Sequence, residues 1–295
     1  MNMNAETLSP LAPREEILQA LVRADGWMLD VDGCLVRTSK AGGAGGTAID
    51  GAVQLLEWLR RHGKDFVICT NASQRPVGTY AAHLRKLGLD VGDDEMMTAA
   101  TAAADYIAAH HRGARVLVVG DTGLEEALRE RDLGLAPPDA TNADVVVVGA
   151  ADSYRAATLN GACLSVADRG AAFYVTVDTP WFHGGVGRSV ASSSAMAAAI
   201  AAVTGVRPQV CGKPSQAIGE VLRTRLGGAG RRLVVVGDMA SIEVRLAHQM
   251  GALGILVMSG GTSAQELPLL PPAHRPHLVA QDVGELIRQM KAIKA

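Results

Sequence analysis

The sequence predicts an α/β protein with a mainly parallel sheet, and three observations lead there. Short apolar runs alternate with helical patterns along most of the chain. Two of those runs, Trp27-Met28-Leu29 and Val234-Val235-Val236, lead into acids, as a buried strand does where its carboxyl end opens into a ligand crevice. Two alanine-rich helical stretches, 99–111 and 190–204, flank a middle region with its own strand–helix alternation. That middle region reads as an inserted domain.

Taken in order, residues 1–14 contain Pro and Glu and lack a basic start followed by an apolar core. They predict a flexible arm, neither signal peptide nor membrane anchor. Strands are predicted at 27–29, 65–69, 115–119, 144–148, 172–177, 232–236 and 253–258. A helix is predicted over 50–62, with Val53, Leu55, Leu56 and Leu59 as its apolar residues. The glycine-rich stretch 41–46 is a loop. It lacks the Gly-Lys-Ser/Thr ending of a phosphate-binding P-loop and the strand–helix setting of a dinucleotide fingerprint.

The first strand runs into Asp30-Val31-Asp32-Gly33. Side-chain alternation and a turn at Gly33 let both acids face one site, which suits a magnesium ion or a nucleophile beside an acid/base. An ordinary Asp-Gly turn fits the same residues. After the second strand comes Thr70-Asn71-Ala72-Ser73, small hydroxyl and amide groups that fit a ligand crevice or a helix cap. Gly212-Lys213-Pro214 places a lysine at a helix start, where it is either a site cation or a solvated charge. Gly237-Asp238 repeats the strand end in an acid, with Glu243 at the following helix, a pattern that also fits an acid favoured by the helix dipole. Gly120-Asp121 has the same look and sets Glu126 at the same offset. It lies inside the inserted region and before the lysine, whereas Asp238 follows Lys213 by one helix and strand.

The formal net charge of −2 over 295 residues gives no electrostatic reason to expect nucleic acid, and no membrane segment is predicted. Cys34, Cys69, Cys163 and Cys211 are widely spaced among apolar neighbours, against a zinc site or disulfide framework and for a reducing cytoplasm.

Asp30-Val31-Asp32-Gly33, Thr70-Asn71, Gly212-Lys213-Pro214 and Gly237-Asp238 stand in the order of the four motifs of the haloacid dehalogenase superfamily, and the chain resembles that family along nearly its whole length. The insertion between the Thr70 and Lys213 motifs is similar to the class IIA branch, the NagD and p-nitrophenyl phosphatase type. The resemblance implies a Rossmann-like parallel-sheet core over 15–100 and 208–295, with an α/β cap over 101–207. It implies magnesium-dependent hydrolysis of a small phosphate ester through an aspartyl phosphate. Asp30 would be the nucleophile and Asp32 the general acid/base. Gly33, Thr70, Asn71 and Lys213 would hold the phosphoryl group, with free backbone N–H groups near Gly33 as donors. Magnesium would sit on Asp30, the Asp32 carbonyl and Asp238, with Glu243 acting through water.

The chain departs from the family at the fourth motif, where class IIA members commonly read Gly-Asp-Arg-x-Asp-Thr-Asp and this chain reads Gly237-Asp238-Met239-Ala240-Ser241-Ile242-Glu243. That departure keeps a catalytically weakened phosphate-binding protein open as an alternative. A haloacid dehalogenase is a further one, although it has no use for Asp32 as a leaving-group acid. Substrate selection is expected from the cap loop 178–185, through Trp181 and His183. The resemblance also implies a homodimer through the cap, for which the apolar strands 116–119 and 145–148 offer material, although their pattern fits plain cap core equally well.

Overall fold

The computed structural model describes residues 12–38, 45–184 and 187–293. Residues 1–11 of the expected arm and 41–44 of the glycine-rich loop lie outside them. Contacts group the chain into two compact units, one of residues 1–70, 81–96 and 222–295, the other of residues 71–80 and 97–221.

The first unit is built on a six-stranded sheet ordered Leu278–Ala280, Leu253–Val257, Leu233–Gly237, Gly26–Asp30, Asp65–Thr70, Met96–Thr98. Its first five strands are mutually parallel. All five residues of Gly26–Asp30 are buried. A central parallel strand is covered on both faces, which is why Trp27, Met28 and Leu29 form an unbroken apolar run rather than an alternating one. Helix Ala52–Arg61 turns Ala52, Leu55, Leu56 and Leu59 inward at helical spacing and packs against helix Val283–Ala292, which in turn packs against Arg14–Arg23.

The second unit holds a five-stranded parallel sheet ordered Gln209–Val210, Ala172–Val175, Val145–Val148, Arg115–Val119, Gly134–Leu135. This sheet runs to Val210, beyond the 207/208 division expected from sequence, because Gln209 and Val210 pair with Tyr174 and Val175. The 71–80 segment also packs with this unit. Strands Arg115–Val119 and Val145–Val148 are inner strands, and Val116, Val119 and Val145 to Val148 are buried in apolar clusters. They are core, so they cannot supply the dimer contact expected of them. The segment expected as a substrate loop is instead a hairpin, Trp181–Gly184 against Gly187–Val190, in which Trp181 pairs with Val190. That pairing takes Val190 out of the following helix, which starts at Ser192.

No helix among the described residues is long and apolar enough to cross a membrane.

Candidate active site

In the first unit three motif residues lie at the carboxyl ends of adjacent parallel strands. Asp30 ends the central strand and pairs with Cys69, so Thr70 follows immediately on one side. On the other side Leu29 pairs with Val236, which sets Asp30 level with Gly237 and one residue short of Asp238. Asp30, Thr70 and Asp238 are all buried. Carboxylates are seldom buried without a partner or a ligand role, and the carboxyl ends of parallel strands are where open α/β sheets hold ligands.

Beyond Asp30 the chain closes a tight turn in which the Val31 carbonyl accepts from the N–H groups of Leu35 and Val36, at 3.0 and 2.9 Å. Asp32 sits at its mouth, half-buried, with its Oδ1 accepting from the Thr38 hydroxyl at 2.9 Å. Gly33 has φ +82°, a left-handed conformation in which a side chain is strained, and an added Cβ would collide with the Asp238 carboxylate. The free N–H donors expected near Gly33 do not include its own. Its N–H is spent on the Val36 carbonyl at 2.8 Å, so the glycine serves the site by letting two chain segments close together.

Asp238 is held by a segment that the sequence reading missed. The Gly261 N–H donates to its Oδ2 at 2.5 Å, and the Thr262 N–H donates to its carbonyl at 3.0 Å. The Ser259 hydroxyl donates to the Gly33 carbonyl at 2.7 Å, so residues 259–262 join the first and fourth motifs. A Cβ on Gly260 would also collide with the Asp238 carboxylate. The available signal was Ser259-Gly260-Gly261-Thr262 directly after an apolar strand, which by itself marks only a turn. Glu243 lies on a π-helical turn, Ala240–Val244, that precedes helix Arg245–Met250. Its side chain folds over Gly237, and its Oε2 accepts from the Met239 N–H at 3.2 Å.

Among the described residues no three His, Cys, Asp or Glu side chains group closely enough to hold a metal ion by themselves. The donor set expected here does not need three: it has the carboxylates of Asp30 and Asp238 and the main-chain carbonyl of Asp32. All are hard oxygen donors, and few of them, which is the chemistry of a magnesium site that keeps several waters. Side chains at Gly33 and Gly260 would collide with the Asp238 carboxylate, so glycine at both positions keeps it clear of them. These residues fit a divalent cation.

The second unit carries Asn71, Lys213, Trp181 and His183. The Asn71 carboxamide accepts from the Lys213 N–H at 2.8 Å and donates to the Lys213 carbonyl at 3.0 Å. Lys213 is only 2% exposed. Two residues before it, burial pushes the Cys211 thiol up to about 12, so this cysteine is a neutral packing group and not a nucleophile. Trp181 is 37% exposed on its hairpin. His183 pairs with Arg188 through the backbone, and its side chain lies outside the described residues.

Residues 27–134 match the haloacid dehalogenase-like hydrolase family model, and residues 210–286 match a second haloacid dehalogenase hydrolase-like model. An acid sugar phosphatase of Staphylococcus epidermidis is 28% identical over 253 residues, covering 84% of this chain and 92% of its own. Among solved structures, a 4-nitrophenylphosphatase of Thermotoga maritima superposes with a TM-score of 0.80 at 26% identity, over 93% of this chain and 99% of its own. NagD of E. coli gives 0.77 at 27%, over 89% and 97%. A glycerol phosphate phosphatase of Mycobacterium tuberculosis, solved with calcium, gives 0.78 at 28%, over 92% and 76%. With the four motifs in order and these relatives alongside, the chain belongs to the haloacid dehalogenase-like hydrolases, is NagD- and p-nitrophenylphosphatase-like, and is a phosphatase.

Proposed function

We propose that the chain hydrolyses phosphate monoesters of small, polyhydroxylated metabolites, with magnesium bound, through a covalent phosphoaspartate on Asp30. The observation that carries this reading is the register of the first sheet, which sets Asp30 at a strand end between Thr70 and Asp238. A carboxylate oxygen of Asp30 attacks phosphorus, and the bond from phosphorus to the ester oxygen breaks. Asp32, as the acid, gives its proton to the departing oxygen. In the second half, Asp32 as carboxylate takes a proton from water, which attacks phosphorus and releases inorganic phosphate and free Asp30. Splitting one displacement in two lets the same pair of acids serve both halves.

Thr70 donates to a phosphoryl oxygen, and the family resemblance gives Lys213 the role of neutralising the transferring group. Asp30, the Asp32 carbonyl and Asp238 would hold the magnesium, with Glu243 through water. Bound there, the ion would neutralise phosphoryl charge. The choice of magnesium is supported by the hard, carboxylate-poor donor set and by the Mycobacterium tuberculosis relative, which has also been solved with magnesium. The substrate class is supported by relatives named acid sugar phosphatase and glycerol phosphate phosphatase.

Phosphate release from p-nitrophenyl phosphate, glycerol phosphate and a set of sugar phosphates, with magnesium or with excess EDTA, tests the reading. Asp30→Asn should abolish turnover while leaving the circular dichroism unchanged, since the amide is nearly isosteric but cannot attack. Asp32→Asn should lose less on p-nitrophenyl phosphate, whose leaving group needs little protonation, than on glycerol phosphate. Near-normal turnover by Asp30→Asn would end the proposal.

Substrate choice is assigned to the hairpin of the second unit. Trp181→Ala should change the ranking of phosphate esters by several-fold while changing p-nitrophenyl phosphate turnover less, because a lost contact costs ~1–3 kcal/mol. An unaltered ranking would remove Trp181 from that role.

A further inference from the structure

We propose that Asn71, braced by Ser73 and Thr176, is a positioning residue for Lys213, fixing the main chain from which the ammonium is presented. The inference rests on the phosphatase reading in which Lys213 is the neutralising cation.

A lysine ammonium is a point charge on a flexible four-carbon stem, so its catalytic value depends on how firmly the base of the stem is held. Here the base is gripped from both sides. The Asn71 side chain takes the N–H of Lys213 at 2.8 Å and the carbonyl of the same residue at 3.0 Å. A carboxamide presents a donor and an acceptor at that spacing. The pattern also settles which way round it lies, since an N–H faces its oxygen and a carbonyl its nitrogen. The preceding residue is locked as well. A Cβ on Gly212 would lie 2.8 Å from Asn71 Oδ1 and would collide with the Thr176 carbonyl. The chain entering Lys213 thus passes between Asn71 and the end of strand Ala172–Val175.

Asn71 is itself held from below. Two residues on, the buried Ser73 hydroxyl accepts from the Ala150 N–H at 2.9 Å and lies 3.2 Å from the Thr176 hydroxyl. Thr176, fully buried, donates its own N–H to Val148 at 2.8 Å. Ser73 therefore ties the Asn71 segment to the ends of two inner strands of the second sheet, Val145–Val148 and Ala172–Val175. Every member of this network belongs to the second unit. With its carbonyl and one N–H engaged by Lys213, the Asn71 side chain contributes to phosphate binding through the lysine.

A double-mutant cycle separates the two roles. The full-length protein with magnesium is titrated with orthovanadate, and kcat/KM for p-nitrophenyl phosphate is measured on the same variants. Lys213→Ala should weaken both strongly. Asn71→Ala should lower kcat/KM by ~10²-fold, the order expected when a reacting group is displaced by about 1 Å, and weaken vanadate binding in parallel. In the Lys213→Ala background, Asn71→Ala should cost no more than about threefold further, because there is no longer an ammonium to place. Ser73→Ala and Thr176→Val should show the same collapse with smaller single effects, and they carry the cycle if Asn71→Ala does not fold.

An Asn71→Ala penalty of equal size in both backgrounds would overturn the proposal and make Asn71 an independent ligand or a general structural residue. Wild-type affinity for vanadate in Lys213→Ala would instead remove Lys213 from the site, and absence of phosphate release by the wild type would remove the function. In either case the proposal falls with the reading beneath it.

Discussion

Strand Leu233–Gly237 of the first unit and strand Arg115–Val119 of the second both run into Gly-Asp, and each has Glu five residues beyond the acid. In the second unit the Asp121 carboxylate accepts from the Thr122 N–H at 2.8 Å and caps helix Thr122–Arg129, while Glu126 is exposed. That is the ordinary use of an acid at a helix start. In the first unit Asp238 is tied to a distant loop. Its carboxylate accepts from Gly261, outside the following helix, and is hemmed by Gly33 and Gly260, while Glu243 is buried over a π-helical turn. The same spelling thus gives a cap where the chain proceeds straight into a regular helix. It gives a candidate metal ligand where a glycine loop grips the acid beside a widened turn.

Removing each acid should show the difference most sharply. Asp238→Ala should raise the magnesium concentration for half-maximal phosphatase activity by ~10²-fold or more, beyond what loss of an outer partner of a metal ligand costs. Asp121→Ala should leave that titration unchanged and cost ~0.5–2 kcal/mol of stability, seen as a drop of a few degrees in Tm. Magnesium titrations and thermal melts on both variants check this. Identical magnesium titrations would erase the distinction.

The glycines offer a second, smaller contrast. Gly260→Ala drives a methyl group into the Asp238 carboxylate, whereas a methyl on Gly120 would meet the Gly149 nitrogen at 3.3 Å, a contact relieved by a shift of a few tenths of an ångström. Gly260→Ala should raise the magnesium requirement by ~10-fold with unchanged circular dichroism, the lower end of what a misplaced outer shell costs. Gly120→Ala should leave it as in the wild type. A normal magnesium titration for Gly260→Ala would mean that the 259–262 loop does not position Asp238.

How far the sequence carried these conclusions depends on the range of each interaction. Asp30 and Asp238 could be proposed from sequence because a buried parallel strand writes its apolar run and its terminal acid in consecutive residues. The order of the four motifs, with Thr70 and Lys213 between them, then separated Asp238 from Asp121. Residues 259–262 were not legible as a site, since Ser-Gly-Gly-Thr spells a turn and its contact with Asp238 is made only in the fold. The bond between Asn71 and Lys213 spans 142 positions and leaves no local periodicity. Which main-chain donors near Gly33 stay free depends on how the turn closes, and there the Gly33 N–H goes to the Val36 carbonyl. The hairpin at Trp181–Gly184 did leave a signal, Gly184-Gly185 between two short runs, but the second strand was not read and its last residue, Val190, was given to the helical stretch.

The two glutamates give the smallest contrast. Glu243 is 3% exposed, and its Oε2 accepts from the Met239 N–H at 3.2 Å. Glu243→Gln keeps the shape and an acceptor for that N–H, so the turn should survive and only the negative charge is lost. If that charge acts on magnesium through a water, as proposed, its removal should raise the half-saturating magnesium concentration by a few-fold, in keeping with ~1 kcal/mol for a charge acting through solvent. The effect on kcat at saturating magnesium should be smaller still. Glu126→Gln, at an exposed helical position, should change neither. The measurement is the magnesium titration of both variants beside Asp238→Ala. A Glu243→Gln curve coinciding with that of Asp238→Ala would place Glu243 directly on the ion. One coinciding with the wild type would reduce Glu243 to a residue that shapes the π-helical turn.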